Sequence, residues 1–443
     1  MTQIFNKVDK VLKNVIFLFF LLIITGYILL PKAFSKLKVN IGPIPLYITE
    51  IFIFISIIVI IVLAIKNKFY FEKIYFFYLF LFFFAILFLA LSKGLYNYRD
   101  VTFTLRQSAL FYYGLFYFII FYLFGVIKKI NYFLTTILVC TNLLIIIFII
   151  RYLGFEEKIL GTFSELMIGG YYFPIALLLV LEINLIEIIK NKYLKALIYI
   201  DIFLLIILSV VENVRGNWIA LFAAFIFSLI IAQNKKRFLI NILIIIVLIA
   251  VLLGVLWFFM PQALGETLNE IKSLRYFFFK SGESPSIAAI NTNWRVITWK
   301  GFIFEFFKRP FTGWGFGRKF LAEETFELGW NTGLADNWVS THNYIISFLY
   351  MSGMIGLIAF MAIIINFFLK NIKFLKNSNN TKNKYYVRAF LSCIFYILIL
   401  GLFEVVLEVP YQGVFFWVFF SFDMIILKQS NYKVLNNENI LST

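Results

Sequence analysis

The residue types suited to chemistry lie where polar segments of this chain meet apolar ones. His342 is the only histidine in 443 residues, and it begins the apolar run that follows the largest polar segment. Arg106, Arg215 and Arg295 lie at similar junctions. An imidazole can take up a proton near neutral pH, and a guanidinium group binds phosphate through paired hydrogen bonds. Together these residues indicate proton transfer beside an anionic ligand at a membrane surface.

Each of these side chains also has a purely structural interpretation, and the sequence leaves both open. Arg106 either snorkels to the membrane interface or binds phosphate. Arg215 lies in a short hairpin, where it either pairs with Glu212 or contacts a ligand headgroup. Arg295 is either an ordinary interfacial cation or a ligand contact. His342 either caps its helix or acts as a base or orienting group for an acceptor.

Three further residues extend the candidate site. Asn343 is a hydrogen-bonding neighbour of the histidine. Gly315 and Gly317 belong to a segment with glycine at alternate positions, which permits a tight backbone path near a ligand. That segment lacks the spacing and the strand–helix context of a nucleotide-binding fingerprint. We therefore predict a glycine-rich turn that approaches a ligand of another class.

Two carboxylates follow late in the chain. Glu404 and Glu408 are four residues apart, which places them on one helix face at the outer end of the predicted eleventh span. They either neutralise Arg215 or Arg106, or one of them acts as a base. The sequence predicts acidic partners for the site and leaves their role open.

The composition places the chain in a membrane. Hydrophobic residues make up 62%, charged residues 14%, and the mean hydropathy is +0.93, which excludes a soluble globular domain. About 20 mostly apolar residues span a bilayer. We predict an all-α polytopic membrane protein with about twelve transmembrane helices. The predicted spans are 14–30, 45–65, 71–92, 108–127, 131–150, 168–188, 194–211, 217–233, 238–259, 342–369, 387–406 and 411–427.

The largest polar insertion divides the chain into three predicted parts. These are 1–259 with helices one to nine, an external loop over 260–341, and 342–443 with helices ten to twelve and a cytoplasmic tail. Within the loop, 281–292 is typical of a flexible linker. The next segment, 294–309, predicts an interfacial helix that starts at a polar cap among residues 291–293 and stops at Pro310.

The charge of the short loops predicts the orientation. Loops on the side of the two termini carry 22 lysines and arginines, and those on the other side carry 9. Because basic loops stay in the cytoplasm, both termini are predicted to be cytoplasmic and 260–341 external. The net charge of +17 reflects this bias and does not imply a nucleic-acid partner.

Three motifs occur in a characteristic order. The first is Val214-Arg215-Gly216-Asn217-Trp218. The second runs from Trp294-Arg295 to Pro310-Phe311-Thr312-Gly313-Trp314-Gly315-Phe316-Gly317. The third joins His342-Asn343-Tyr344 to Gly353-Met354-Ile355-Gly356-Leu357. This ordered set resembles the O-antigen ligase and O-antigen polymerase family of bacterial envelope proteins. Val214 replaces a usual serine and Ser352 a frequent acidic residue, which leaves the subfamily open.

The resemblance implies a glycosyltransferase C-type membrane fold in the inner (cytoplasmic) membrane. It also implies transfer of a glycan from a polyprenyl diphosphate, such as undecaprenyl diphosphate, to an acceptor hydroxyl. Ligases of this family use the lipid A core of lipopolysaccharide or another envelope molecule as acceptor, whereas polymerases use the next lipid-linked repeat unit. The family's characteristic histidine corresponds to His342, and Arg215 and Arg295 correspond to contacts with the donor diphosphate.

The chemistry of the residues agrees with that transfer. A diphosphate leaving group gains charge in the transition state, and fixed arginines stabilise it. An acceptor hydroxyl becomes a better nucleophile when a base takes its proton. No predicted outer loop contains Asp-x-Asp or Asp-Asp, so we expect no essential divalent metal and no cofactor. The same lack argues against oligosaccharyltransferase-like relatives, which carry acidic metal ligands.

The competing function is transport, as in a lipid-linked oligosaccharide flippase. A flippase is expected to line a mid-membrane cavity with charges and to contain internal repeats. The cations singled out above lie at the outer ends of predicted spans, and the sequence shows no repeat. Glycan transfer is therefore the favoured prediction.

The orientation predicts that Ser284 is accessible from outside. A Ser284→Cys variant should react with an impermeant thiol reagent in cells whose outer layers are permeabilised and whose inner membrane is intact. Labelling that requires lysis of the inner membrane would reverse the orientation and move the candidate site to the cytoplasm.

Overall fold

A computed structural model describes most of the chain and is mostly helical. The described residues are 2–41, 44–67, 75–125, 127–152, 171–183, 191–211, 215–232, 243, 287–319 and 340–441. Nearly all of the predicted ninth span, 238–259, and much of the predicted external loop lie outside them.

The described helices and strands are named here in chain order. They are α1 (Thr2–Leu29), α2 (Pro31–Phe34), β1 (Lys38–Ile41), β2 (Ile44–Tyr47), α3 (Ile48–Asn67), α4 (Phe77–Tyr98), α5 (Val101–Gln107), α6 (Ala109–Tyr112), α7 (Leu115–Leu123), α8 (Ile127–Tyr152), α9 (Tyr172–Glu182), α10 (Lys192–Val211), α11 (Arg215–Ile231), α12 (Ile287–Lys308), α13 (Tyr344–Asn377), α14 (Thr381–Leu400) and α15 (Pro410–Leu441). The two strands form an antiparallel hairpin between α2 and α3, which was not predicted from the sequence.

Seven of the described helices contain a segment long and apolar enough to cross a membrane. These segments are Asp9–Leu29, Ile48–Lys66, Phe77–Tyr98, Lys128–Ile150, Tyr344–Asn377, Thr381–Leu400 and Pro410–Ser430. The prediction of a helical, multi-pass membrane protein is therefore confirmed. The count of twelve spans, and the position of the loop between the ninth and tenth, stay predictions.

The predicted span over 108–127 is not one continuous helix. α6 ends at Tyr112 and α7 begins at Leu115, because tight three-residue turns replace the regular helical hydrogen bonds there. Gly114 lies at this break, where an added Cβ would lie 3.6 Å from Trp417 of α15. The break thus lets the chain pass close to the central helix.

The helix that was predicted to be interfacial starts earlier than expected. α12 begins at Ile287, so the predicted linker is wrong over its second half and the predicted polar cap among residues 291–293 is wrong. The sequence Ile-Ala-Ala-Ile, which precedes these polar residues, has a helix propensity high enough to continue the helix through them. The polar residues therefore lie inside the helix and do not cap its start. The predicted stop is confirmed, since the helix ends at Lys308, two residues before Pro310.

Helix α15 forms the centre of the bundle. Of its apolar segment 89% is buried, against 28% for α4 on the outside. Trp417 of α15 lies 5.7 Å from Phe80 and 5.6 Å from Phe420 between ring centroids, and Phe420 stacks on Phe367 at 4.3 Å. The abundance of phenylalanine therefore supplies aromatic core packing as well as lipid-facing surface.

A kink in α13 joins it to the segment that follows α12. Gly353 has φ 69° and ψ −168°, which interrupts the helix. A Cβ at this position would lie 2.2 Å from the carbonyl oxygen of Phe311, so only glycine fits. The backbone N–H groups of Trp314 and Gly315 donate to the carbonyls of Tyr350 and Met351, both at 2.9 Å. This junction fixes where α12 lies on the membrane domain.

Candidate functional site

The candidate site forms where α12, the start of α13 and the turn between α14 and α15 meet. Asn343 is the N-cap of α13, and its side-chain oxygen accepts hydrogen bonds from the backbone N–H groups of Ile345 (3.0 Å) and Ile346 (3.3 Å). Its Nδ2 donates to the carbonyl of Leu402 at 3.1 Å. One amide therefore satisfies the helix start and ties it to the turn that carries Glu404.

Thr341, which precedes His342, is fixed by hydrogen bonds, as Asn343 is on the other side. Thr341 is buried, and its hydroxyl lies 2.6 Å from Ser347 Oγ. Its carbonyl accepts a hydrogen bond of 2.6 Å from Trp299 Nε1 of α12. His342 itself has φ +48°, a left-handed conformation that costs a non-glycine residue about 1–2 kcal/mol. Its neighbours on both sides maintain this strained geometry.

The His342 ring points toward the carboxylate of Glu404. Its Nδ1 lies 3.6 Å from Glu404 Oε2, which is longer than a direct hydrogen bond. The other carboxylate oxygen, Oε1, accepts a hydrogen bond of 2.9 Å from the Arg295 guanidinium. The Trp294 ring and the imidazole pack edge to face, with their centroids 5.4 Å apart. Glu404 thus lies between the histidine and the arginine.

The prediction that Glu404 and Glu408 share a helix face is wrong, because α14 ends at Leu400 and both residues lie in the turn before α15. The two carboxyl groups have opposite electrostatic environments. Burial alone would raise the pKa of Glu404, but His342 and Arg295 outweigh it and hold the pKa below its usual value. Burial raises the pKa of Glu408, which only the Ser347 hydroxyl and the more distant His342 offset. Two similar groups with pKa values shifted apart are typical of sites where one carboxylate stays charged.

Arg215 is placed through its backbone. It begins α11, and its side chain lies outside the described residues. A Cβ on the adjacent Gly216 would lie 3.4 Å from Phe403 Cβ and 3.7 Å from Glu404 Cγ. The start of α11 therefore packs against the same turn as Arg295 and His342.

The remaining predicted site residues lie elsewhere. Arg106 is exposed on α5, and its charge acts on Glu50. An added Cβ on Gly315 would lie 3.0 Å from the Ala90 carbonyl of α4, and one on Gly317 would lie 2.1 Å from Thr104 Oγ1 of α5. The structure explains these glycines by close packing between segments, and a ligand-binding role for them and for Arg106 stays a prediction.

Three supports of the site were not predicted from the sequence. These are Trp294, Trp299 and Ser347, which contact His342 or its neighbour Thr341. Of these residues, only the tryptophans could have been predicted from the sequence to make a specific contact, because a buried indole N–H group needs a hydrogen-bond partner. In the part of the chain that the structure describes, no three His, Cys, Asp or Glu side chains group together as a metal site would require.

The opposite pKa shifts of the two carboxyls predict opposite effects of neutral substitutions. A lowered pKa stabilises the fold above the usual pKa of glutamate, and this contribution disappears as pH falls through the folded-state value. A raised pKa stabilises the fold at low pH, and that contribution disappears as pH rises. At pH 7, Glu404→Gln should therefore lower the thermal unfolding midpoint by a few degrees, whereas Glu408→Gln, which imitates the protonated acid, should not.

Thermal unfolding of the purified variants from pH 7 downward measures this difference. The deficit of Glu404→Gln should shrink as pH falls below the usual pKa of a glutamate. Equal deficits for both variants, or a Glu404→Gln deficit that persists undiminished at low pH, would contradict the assignment of charge.

A comparison with known families identifies the segment that contains most of this site. The family model described as O-antigen ligase matches residues 201–361, which include Arg215, Arg295 and His342. Glu404 and Glu408 lie beyond the matched residues. No curated protein matches the chain, and nothing in the family match supports the transporter alternative. The predicted resemblance is confirmed, and this multi-pass membrane protein carries the domain of the O-antigen ligase family in residues 201–361.

Proposed function

We propose that this protein transfers a glycan from a polyprenyl diphosphate to an acceptor hydroxyl at the outer face of the cytoplasmic membrane. The observation that carries the proposal is the group formed by Arg295, Glu404 and His342, which joins an anion-binding side chain to a candidate base. Arg295 and His342 lie within the matched O-antigen ligase segment, and Glu404 follows it in the chain. The family match therefore supports the same reaction class. The termini are then cytoplasmic and the 260–341 segment is external.

Arg295 binds the donor diphosphate in this proposal. A guanidinium group has five N–H donors in a planar fork, and the hydrogen bond to Glu404 Oε1 occupies only part of it. The remaining donors can receive phosphate oxygens, whose charge increases as the bond to the sugar breaks. Arg215, at the start of α11 beside the same turn, supplies a second guanidinium.

His342 acts as the base. Its Nδ1 faces Glu404, which favours the tautomer with the proton on Nδ1 and leaves the Nε2 lone pair for the acceptor. Nε2 takes the hydroxyl proton, the hydroxyl oxygen bonds to the anomeric carbon, and the bond from that carbon to the diphosphate breaks. Glu404 stabilises the resulting imidazolium in the way that the carboxylate of a catalytic triad does.

Two substitutions separate proton transfer from donor binding. Removal of a general base typically costs about 10²–10⁴-fold in rate, so purified His342→Ala should bind lipid-linked donor normally and turn it over at least about 100-fold more slowly. Arg295→Lys keeps the charge but loses the planar fork, so it should weaken donor binding. Turnover assays and donor-binding titrations with both variants measure these effects.

The outcomes distinguish a base from an orienting group. If His342 only orients the acceptor, His342→Gln should restore most of the turnover lost in His342→Ala. Near-normal turnover of His342→Ala between pH 6 and 8 would contradict any role in acceptor activation, and Glu408 would become the next candidate base.

A ligase and a polymerase differ in the acceptor that receives the glycan, so the glycans of a deletion strain distinguish the two activities. Envelope glycans from a deletion strain should contain single repeat units on the final acceptor if a polymerase is lost. If a ligase is lost, long glycan chains should instead accumulate on the lipid carrier. An unchanged glycan profile in a strain with no second copy of this activity would contradict glycan transfer.

A further inference from the structure

A second group of cations surrounds the Trp314 indole, away from His342. The guanidinium carbons of Arg309 and Arg318 lie 4.2 and 3.5 Å from the centre of the indole ring. The ring nitrogen of Trp314 donates a 3.0 Å hydrogen bond to the carbonyl of Glu305. The indole is thus a fixed platform that holds two guanidinium groups close together.

Positive charge exceeds negative charge at this platform. Glu305 forms ion pairs with Arg318 at 2.8 Å and with Lys308 at 2.5 Å. Burial alone would raise the pKa of Glu305, but these two cations hold it below its usual value. Among the described residues, Glu305 is the one carboxylate that forms an ion pair with this group of cations.

Lys93 brings a further charge from α4. Its Nζ donates to the carbonyl of Gly313 and, at 3.3 Å, to Thr312 Oγ1. It lies near enough to Arg309 for the two cations to repel each other. An anion between Lys93 and Arg309 would relieve this repulsion, and a phosphate matches the geometry of a guanidinium.

The side of α12 next to the cations is apolar and exposed. Phe304 and Phe307 are 65% and 69% exposed, and they lie three residues apart on one helix face. Phe311, three residues after the helix ends, is 69% exposed. Lys308 Nζ lies 4.8 Å above the Phe304 ring. Aromatic rings beside lysine and arginine are typical of a helix that lies in the headgroup region of a bilayer.

We propose that Lys93, Arg309 and Arg318 around Trp314 bind the phosphate of an anionic phospholipid from the surrounding bilayer. The cations match the headgroup charge, and the three exposed phenylalanines match the acyl chains of the same molecule. Trp314 contacts α13 at Tyr350, seven residues after Asn343 and therefore roughly 10 Å along the helix from the His342 site. The lipid site is thus separate from the proposed donor site and does not depend on glycan transfer.

The bound lipid has a structural consequence for α12. The C-terminal end of this helix carries Lys308 and leads into Arg309, and its middle carries Arg295, which pairs with Glu404. A lipid held at the C-terminal end fixes the helix against the membrane surface. The depth at which Arg295 meets Glu404 then depends in part on the headgroup below the helix.

The experiment compares two spin-labelled lipids bound to the purified full-length protein in nanodiscs. The wild type should prefer phosphatidylglycerol over zwitterionic phosphatidylcholine. One cation near a headgroup contributes about fivefold in affinity, so Arg309→Gln should reduce the preference by about that factor. Lys93→Gln should act in the same direction. Lys36→Gln, which removes an exposed cation from the first outer loop, is the matched control and should leave the preference unchanged.

Three results would overturn the proposal. The first is an unchanged preference in both Arg309→Gln and Lys93→Gln, with each variant eluting as the intact wild type does. The second is equal binding of the two lipids by the wild type, which would assign the contact to the phenylalanines alone. The third is loss of the preference in millimolar inorganic phosphate at constant ionic strength, which would make this a general phosphate site.

Discussion

The Glu404 carboxylate between Arg295 and His342 is the interaction on which the site depends. The side chain of Glu404 is only 18% exposed, and a charged group this far from water needs partners of opposite charge. The guanidinium at 2.9 Å and the imidazole at 3.6 Å supply them. Without the carboxylate, a cation and a protonated histidine would face each other. One anion therefore permits both a phosphate-binding arginine and a base that becomes positively charged during the reaction.

The surrounding fold brings three distant segments to that carboxylate. Asn343 joins the start of α13 to Leu402, and Trp299 joins α12 to Thr341. Farther along α13, the kink at Gly353 receives the backbone that follows α12. Each link is a hydrogen bond or a close backbone contact, so the arrangement depends on a few specific residues. Bulk apolar packing around α15 supplies the rigid support but does not by itself select this geometry.

The sequence predicted the types of the site residues better than their pairing. His342, Arg295 and Glu404 were found because ionisable residues at the ends of apolar segments are conspicuous. Arg106 was an equal candidate partner for Glu404, but its charge acts on Glu50, and the observed partner is Arg295, 109 residues away. Apolar windows predicted most helices, yet not the break at Gly114 or the early start of α12. Those features depend on close contacts and local propensity that hydropathy does not record.

The most direct test is a cryo-electron microscopy structure of the protein with a bound polyprenyl diphosphate. We expect the diphosphate oxygens to contact the Arg295 guanidinium and His342 Nε2 to face the space beside them, with Glu404 still between the two side chains. A diphosphate bound instead beside Arg106 and Glu50, or at the Trp314 platform, with no density next to Arg295, would contradict the assignment of this group as the transfer site.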